Sequence, residues 1–492
     1  MRIVGRIALG LLAGLVVLVA VVLARTYLAV APGIATAAAP IRVAAPVTVD
    51  VAGAAQRLSQ AIQIPTIRHQ DRAEDVDAEW TRLHALLATN YPAAHAAMTK
   101  DELASRTLVF TWAGTDNSLA PIVLMAHQDV VPVTPGTEAD WKHPPFGGVI
   151  AEDAVWGRGA IDDKGSLMGI FEAIETLAKQ GFRPKRTVIV VSGGDEEVFG
   201  QGARSAAELL KARGITAEFV LDEGMAVVTD NPISGGKAAI VGTAEKGYGT
   251  LRVTAKATGG HSSAPPADGG GVATLSKAVL AITGKPFPLA FGGPGADMVR
   301  TLAPDAPFAV RVAVANQWLF GGPLTKQIAA TPTGAALLHT TIAPTMLRGS
   351  PKENVLPQDA TAWINYRIAP GDTSATVMAR AKAAVGDLPV TLAWNAPPNE
   401  PTPVSSTRSW GWQVLAATAG AVADAPVAPS LVTAGTDSRF LTPVAKDVYR
   451  FQPLELSLKD VAMIHGTNEH ITLKNLEKMV QFYARLIVTA AG

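Results

Sequence analysis

The chain has 492 residues, 48% of them hydrophobic, and it carries 42 basic and 42 acidic residues, so its formal net charge is zero. This length exceeds one typical core and predicts two domains, and the neutral balance excludes the basic field that nucleic-acid binding requires. Because the chain has no cysteine, thiol nucleophiles and thiolate metal ligands are excluded, and any metal must be held by imidazole and carboxylate.

An uninterrupted apolar segment, Ile7 to Ala24, lies near the N-terminus. As a helix it would span ~27 Å, enough to cross a bilayer. Two arginines and the amino terminus precede it and one arginine follows, which favours a cytoplasmic N-terminus and an extracytoplasmic remainder. We therefore expect residues 1–46 to form a single-pass membrane anchor and an Ala/Pro-rich tether, Val30 to Pro46. The alternative is a cleaved signal peptide and a secreted or periplasmic protein, because Ala35, Ala37, Ala38 and Ala39 offer small residues to a peptidase.

Helix and strand patterns alternate through residues 47–242. This alternation predicts an α/β domain with a mixed, largely parallel sheet and helices on both faces. The predicted helices are Ala78 to Leu87, Ser166 to Lys179 and Ala203 to Arg213, and the predicted strands are Pro121 to Ala126, Thr187 to Val191 and Glu218 to Leu221.

The pattern changes to β-α-β-β-α-β in residues 243–399, the order of a ferredoxin-like α+β domain. The six elements are the strand Gly249 to Ala257, the helix Val272 to Ile282, the strands Leu337 to Leu347 and Ala360 to Ala369, the helix Ser374 to Ala384 and the strand Val390 to Trp394. An extra stretch rich in Gly, Pro and apolar residues, Lys285 to Thr333, interrupts this domain. Residues 400–492 are expected to rejoin the first domain.

Acidic residues and histidines follow the predicted strands of the first domain. His127 and Asp129 come directly after one strand and share a face by alternation, so one could bind a metal while the other orients it. A structural His-Asp hydrogen bond is the alternative. Asp162 and Asp163 lie in the glycine-rich loop Gly157 to Gly165 before a helix, where a simple helix cap is also open.

Three consecutive carboxylates, Asp195, Glu196 and Glu197, follow another strand too apolar to lie on the surface. Such closely spaced like charges favour neutralising cations, although a solvated acidic turn is the alternative. Neighbouring glutamates also suit a division of labour in which one binds metal and the other takes a proton from water. After the next strand, either Asp222 or Glu223 could point inward, and near the C-terminus both His465 and His470 are available.

These segments resemble the zinc exopeptidase and amidohydrolase family that includes carboxypeptidase G, carboxypeptidase S, aminoacylase, carnosinase and succinyl-diaminopimelate desuccinylase. The resemblance extends from Ala61 to the C-terminus. Its most specific motifs are Met125 to Asp129, Gly157 to Gly165, Gly194 to Glu197 and Ile464 to Glu469.

The resemblance implies a site for two zinc ions, with cobalt or manganese as substitutes. In it Asp162 bridges both metals, His127 and Asp222 complete one, and Glu197 and His465 complete the other. Glu196 would be the general base and Asp129 the partner of His127, and the peptide bond between Asp162 and Asp163 would be cis. His470 is then accessory.

The smaller domain resembles the lid of this family, which is also a dimerisation surface in some relatives, so a homodimer remains open. His261 matches a histidine that reaches the scissile carbonyl oxygen when the lid is closed; otherwise it is a loop histidine. Arg367 and Asn354 match positions that hold the substrate carboxylate, although a strand arginine is otherwise usually solvated. Gly435 and Thr436 match a loop lining the same pocket.

The implied reaction is hydrolysis of an amide next to a free α-carboxylate. The N-terminal segment, the insertion and Tyr449 to Pro453 most resemble the carboxypeptidase S and N-fatty-acyl amino acid hydrolase branch. We therefore expect a peptide or an N-acyl amino acid as substrate, and the apolar insertion favours a hydrophobic one. The alternatives are a dipeptidase or aminopeptidase of the same family and a membrane-tethered binding protein without catalysis.

Overall fold

The structure is a computed structural model that describes residues 2–29, 41–198 and 200–492. Helix α1 comprises Arg2–Ala29, and it is long and apolar enough to cross a membrane. Its described side chains are exposed except for the half-buried Val22 and the buried Thr26. Most of the predicted tether, with the small residues Ala35 to Ala39, lies outside the described residues.

The first half of the main domain alternates helices and strands, as the sequence pattern predicts. Its helices are α2 (Val51–Ile62), α3 (Asp77–Asn90), α4 (Pro92–Ala97), α5 (Lys164–Lys179) and α6 (Gln201–Ala212). Its strands are β1 (Thr99–Glu102), β2 (Leu108–Trp112), β3 (Ile122–Met125), β4 (Val149–Ala151), β5 (Ala154–Trp156), β6 (Val188–Ser192), β7 (Phe219–Asp222), β8 (Val227–Val228) and β9 (Ala238–Glu245).

A second, smaller sheet is carried by the next part of the chain. Its strands and helices, in chain order, are β10 (Gly247–Lys256), β11 (Gly260–His261), α7 (Gly270–Thr283), β12 (Thr341–Arg348), β13 (Val355–Leu356), β14 (Asp359–Ile368), α12 (Ser374–Val385) and β15 (Val390–Trp394). Four of these described strands pair antiparallel in the order β12-β14-β10-β15. This is the strand order of the predicted ferredoxin-like lid, with α7 and α12 packed on it.

The predicted strand Leu337 to Leu347 begins only at Thr341. Leu337 is instead the C-cap of the last of four helices in the insertion, and Leu338 beside it is buried. These helices are α8 (Gly293–Leu302), α9 (Phe308–Ala315), α10 (Gln317–Ile328) and α11 (Pro332–Ala336). Helix α8 packs through Met298 and Leu302 on Ala238 and Ala428 of the main sheet.

The C-terminal part rejoins the main domain. It contributes α13 (Trp410–Ala423), β16 (Val427–Val432), β17 (Val448–Arg450), β18 (Glu455–Leu456), β19 (His470–Thr472) and α14 (Leu473–Ala491). In the described ranges the main sheet has ten strands, nine of them in the order β1-β2-β6-β3-β7-β17-β9-β8-β18, and β16 pairs with β9. Strands β6, β3, β7 and β17 lie side by side and parallel.

Alternation along the central strand β3 explains why helices cover both faces of this sheet. Ile122 and Leu124 belong to one hydrophobic cluster, which α2, α5 and α14 complete. Val123 and Met125 belong to another, which α6 completes. Since successive side chains of a strand point to opposite faces, this fully apolar strand requires cover on both sides.

The chain enters and leaves the lid at neighbouring points. Tyr248 and Asn399 exchange two backbone hydrogen bonds of 2.9 and 2.8 Å. The amide of Thr402 then donates to the carbonyl of Glu245 at 3.1 Å. The two crossings therefore form one short hydrogen-bonded ribbon between the lid and the main sheet.

Candidate metal centre

The predicted site residues lie at the carboxyl edge of the parallel strands. His127 follows β3, Glu196 and Glu197 follow β6, and Asp222 ends β7. Asp162 comes from the loop before α5, and its peptide bond to Asp163 is cis, as the resemblance implies. Because parallel strands place their carboxyl ends at one edge of a sheet, residues far apart in the chain meet there.

Asp162 is at the centre of this group. His127 Nε2 lies 2.8 Å from Asp162 Oδ1, and His465 Nε2 lies 3.0 Å from Asp162 Oδ2. His465 Nε2 also lies 3.1 Å from Glu197 Oε2. The two oxygens of Asp162 thus face two different imidazoles, which is the arrangement that a bridging carboxylate requires.

Two sets of potential ligand atoms converge here. Those of His127, Asp162 and Glu197 lie within 4.8 Å of one another, as do those of His127, Glu196 and Glu223. Glu223 was one of two open choices in the sequence, and the structure turns it toward His127. The neighbouring Asp222, which the resemblance implies as a ligand, accepts a hydrogen bond from the amide of Ser438 at 2.9 Å.

Asp129 is completely buried and contacts both His127 and the loop that carries Glu196 and Glu197. Its Oδ1 lies 3.5 Å from His127 Nδ1, although its own backbone carbonyl is closer to that nitrogen, at 2.9 Å. The carboxylate also accepts the amide protons of Glu196 at 3.1 Å and Glu197 at 3.0 Å. Asp129 therefore holds the loop of the predicted base in addition to facing His127.

The electrostatics of this cluster fit divalent cations. Burial and then repulsion from Asp437, Glu197 and Asp162 raise the pKa of Glu196. Burial and then repulsion from Asp162 and other neighbouring carboxylates raise the pKa of Glu223. Glu197 Oε1 is buried without a hydrogen-bond partner among the described residues. Cations would neutralise the repulsion and satisfy this oxygen, and imidazole with carboxylate is a donor set suited to zinc, cobalt or manganese.

The two histidines are held by carboxylates. Burial alone would lower the pKa of His127, but the flanking Asp129 and Asp162 outweigh it and raise that pKa. Hydrogen bonds to Asp162 and Glu197 raise the pKa of His465 to about 10. In contrast to these two, the ring of His470 stacks on that of Trp156 with centroids 4.0 Å apart, and its Nδ1 lies 2.8 Å from the Asn468 carbonyl oxygen.

Several supporting residues were not singled out in the sequence. Glu469 is buried, pairs with Arg158 at 2.7 Å and accepts the amide protons of Ile161 and Asp162. Gln452 donates to Asp163 Oδ1 at 2.7 Å. Both lie inside segments that carry the family resemblance, Ile464 to Glu469 and Tyr449 to Pro453. The motifs therefore include these residues, but the sequence alone does not predict which groups they contact.

The loop with Gly435 and Thr436 is connected to the lid crossing. Thr436 donates to Glu245 Oε1 from its amide at 3.1 Å and from its hydroxyl at 2.6 Å. Arg450 also donates to that oxygen at 2.9 Å. Gly435 leaves room for Arg439, whose guanidinium occupies the space of a Cβ. The Thr436 hydroxyl is thus already engaged within the protein.

The lid residues are not gathered with the metal cluster. His261 is exposed and its Nδ1 lies 2.8 Å from Ser263 Oγ, while Asn354 is exposed near it and accepts the amide of Ser262 on its backbone carbonyl. Arg367 is half-buried, with its guanidinium 4.9 Å from the centre of the Tyr248 ring. Burial and the nearby Arg439 lower the pKa of Arg367.

A mixed α/β sheet with converging histidines and carboxylates at its carboxyl edge defines a metal-dependent hydrolase. Comparison with known proteins places it further. The model of peptidase family M20/M25/M40 matches residues 123–489. The N-fatty-acyl-amino acid synthase/hydrolase PM20D1 of Xenopus tropicalis is 35% identical over 490 residues, covering 97% of this chain and 93% of the relative. A probable carboxypeptidase S-like 2 of Dictyostelium discoideum is 34% identical over 445 residues, covering 88% and 84%.

Solved structures show the same fold. The M20 family metallo-carboxypeptidase Sso-CP2 from Sulfolobus solfataricus superimposes with a TM-score of 0.63 at 15% identity, covering 89% of this chain and 99% of that one. Human carnosine dipeptidase 1 gives a TM-score of 0.61 at 13% identity, covering 89% and 96%. The chain belongs to peptidase family M20/M25/M40, as the sequence motifs predict, and it is a metallohydrolase with carboxypeptidase and amidohydrolase relatives.

Proposed function

We propose that this enzyme binds two zinc ions and hydrolyses the amide bond of an N-acyl amino acid next to its free α-carboxylate. His127, Asp162, Glu197 and His465 would hold the ions, with Asp162 shared between them. Asp222 or Glu223 would complete the His127 side, and the orientation of Glu223 supports the second choice. Bound zinc would acidify a water molecule, polarise the amide carbonyl and neutralise the carboxylates.

Glu196 would move the proton in this reaction. Burial is the largest cause of its raised pKa and remains when cations are bound, which suits a group that accepts a proton from water and returns it to the leaving nitrogen. His261 would donate a hydrogen bond to the oxyanion. Because its side chain is exposed on the lid, the lid would have to close to bring it to the substrate.

The observation that carries the substrate assignment is the environment of Arg367. This half-buried cation stacks on Tyr248, and no carboxylate within the described residues forms an ion pair with it. A half-buried arginine without a carboxylate partner among the described residues can accept a substrate carboxylate through its planar fork of donors. Asn354 would assist from the lid, and Gly435 and Thr436 would shape the same pocket.

Two related substrates fit this site, a peptide with a free C-terminus and an N-acyl amino acid. The apolar insertion supports a hydrophobic acyl group, as do relatives named N-fatty-acyl-amino acid synthase/hydrolase. Carboxypeptidase S of Saccharomyces cerevisiae, 30% identical, supports the peptide alternative.

A substrate panel with zinc tests the proposal. We expect hydrolysis of N-acyl-leucine and N-acyl-phenylalanine, and far slower hydrolysis of N-acyl-leucinamide, which lacks the carboxylate. Faster turnover of short polar dipeptides would refute the preference for acyl amino acids. The variant Glu196→Gln should retain bound metal and lose activity. Negligible activity of both wild type and variant would support the binding-protein alternative.

We also propose that α1 remains as a membrane anchor with the enzyme on the extracytoplasmic side. The burial of Thr26 against the rest of the protein supports retention over cleavage. Resistance of the full chain to carbonate extraction, with an intact N-terminus, would support the anchor.

A homodimer would form through the exposed edge strand β12, which displays Met346 and Leu347. Mass measurement of the full chain in nanodiscs tests whether this dimer forms.

A further inference from the structure

The C-terminal end of α1 is attached to the lid insertion, at the corner between α9 and α10. Asn316, which joins these two helices, donates from Nδ2 to the Val22 carbonyl at 3.2 Å and to Thr26 Oγ1 at 3.2 Å. Arg25 Nε donates to the Ala315 carbonyl at 3.4 Å. These contacts bury Asn316 and Thr26 completely. The corner is therefore fixed to α1 at one defined level.

With α1 spanning the bilayer as proposed, that level is the membrane surface. The apolar segment that would fill the hydrocarbon ends at Ala24, and Thr26 lies ~3 Å further along the helix axis. The carbonyl of Val22 and the hydroxyl of Thr26 are hence at the boundary between hydrocarbon and headgroups. Side chains that are exposed beside Asn316 at the corner of α9 and α10 would therefore face the headgroup layer.

Large apolar side chains are exposed at the corner and at the opposite end of α9, which begins with Phe308. Phe308 is 49% exposed and its ring lies 6.4 Å from that of Tyr27, which is itself 61% exposed. Trp318 and Leu319, only two and three residues after Asn316, are 57% and 42% exposed. We call Phe308, Trp318 and Leu319 the corner patch. Trp and Tyr side chains, such as Trp318 and Tyr27, are enriched at the headgroup level of membranes, where an apolar ring and a polar edge are both accommodated.

The charges around the patch are also suited to a lipid surface. No acidic residue occurs between Asp305 and Glu353, whereas the half-buried Arg311 and the exposed Lys326 lie on the two helices of the corner. From the neighbouring α8, Arg300 donates to Gln317 at 3.2 Å and pairs with Asp297 at 2.8 Å. Arg25 adds a further cation at the same level. A basic surface with exposed aromatic and aliphatic side chains binds an interface through both apolar burial and attraction to anionic headgroups.

We infer that the corner patch inserts into the headgroup layer of the bilayer that α1 spans, so that the lid insertion is a second membrane contact of the enzyme. This inference depends on the proposed anchor. The two attachments would fix how the lid is oriented above the membrane, because a single helix alone would leave the enzyme free to turn about its tether. They also place the lid beside a surface where amphiphilic acyl amino acids accumulate.

The absence of cysteine permits a direct test in the full chain. Trp318→Cys places a unique thiol on the patch, and Leu458→Cys is the matched control, since Leu458 is 53% exposed and lies outside the insertion. Each variant is labelled with the fluorophore NBD and reconstituted in phosphatidylcholine and phosphatidylglycerol nanodiscs, with or without doxyl-labelled lipid. Phe308→Cys provides a second patch position in case Trp318→Cys does not fold, and hydrolysis of N-acyl-leucine checks folding.

We expect a blue-shifted emission and strong doxyl quenching at positions 318 and 308, and neither effect at position 458. Membrane-retained protein with equal, weak quenching at all three positions would refute the patch and leave the anchor intact. A blue shift without doxyl quenching would show that protein rather than lipid surrounds the patch, and would also refute the inference. Protein that carbonate extracts from the membrane would refute the anchor and the inference with it.

Discussion

Replacing Asp129 by asparagine would separate two roles of one carboxylate. One oxygen lies 3.5 Å from His127 Nδ1, whereas both oxygens accept backbone amides of the loop that carries Glu196 and Glu197. Asparagine keeps one acceptor and replaces the other with an NH₂ group, which cannot accept. At least one amide of the loop would therefore lose its partner.

The size of the effect follows from these contacts. A hydrogen bond to a charged group contributes about 1.5–3 kcal/mol, and one of the two is lost outright while the other becomes neutral. If the lost free energy displaces Glu196 and raises the activation free energy by the same amount, kcat/KM falls roughly 10- to 100-fold, because each ~1.4 kcal/mol corresponds to a factor of ten.

The assay compares kcat/KM on N-acyl-leucine at saturating zinc with the metal content of the purified protein. We expect Asp129→Asn to stay slow when fully metallated, because the loop remains displaced. Asp195→Asn is the control: Asp195 is buried in the same loop, accepts the Gly202 amide at 2.9 Å and faces Arg72. It should lower the unfolding temperature while largely preserving kcat/KM.

Two outcomes would refute this reasoning. Full recovery of kcat/KM on adding zinc would show that Asp129 acts only through the ligand His127. An equal loss of activity in Asp195→Asn would show that any removal of charge from this loop has the same effect, so the two amide contacts of Asp129 would have no special role.

Three further predictions concern the metal, the substrate and pH. Glu223→Gln should lose more bound zinc than Asp222→Asn in elemental analysis, because Glu223 faces His127; the reverse order would restore Asp222 as the ligand. Arg367→Gln should raise KM for N-acyl-leucine without changing hydrolysis of N-acyl-leucinamide, and an equal effect on both would exclude carboxylate recognition. Burial would raise the pKa of Glu455, but Lys478 and two other lysines outweigh it and lower that pKa from 4.5 to about 2. The stabilisation is thus complete above pH 4.5 and lost as pH falls toward 2, so Glu455→Gln should be less stable than wild type at pH 7, with a difference in unfolding temperature that narrows on acidification.

Residues of the candidate site could be predicted from the sequence wherever the end of a strand could be located. His127, Glu196 and Asp222 each follow an apolar run, and parallel strands bring such positions to one edge. The choice between Asp222 and Glu223 depends on a single residue of register, because alternation reverses the side chain at each step. Nothing local in Asp-Glu-Gly fixes that register; the pairing of β7 with β3 and β17 does.

The helices of the insertion show a second limit. Residues 285–333 are rich in Gly and Pro, and α10 even contains Pro323, so local propensity argues against helix there. Tertiary packing stabilises these helices despite their low propensity, since α8 buries Leu302 on the main sheet and α9 lies against α1. The network of Glu245, Thr436 and Arg450 could not be predicted either, because Glu245 is 191 residues from Thr436 and 205 residues from Arg450 in the chain.

The paired crossings at Tyr248 and Asn399 have an evolutionary consequence. A unit that is entered and left at two hydrogen-bonded neighbours can be removed or exchanged at the gene level with little change to the distance that the remaining chain must close. The pairing of β9 with β16 lies within the main sheet and involves no lid residue. The lid and the sheet edge are thus separable units of the chain, and a change confined to the lid would leave the residues at the sheet edge in place.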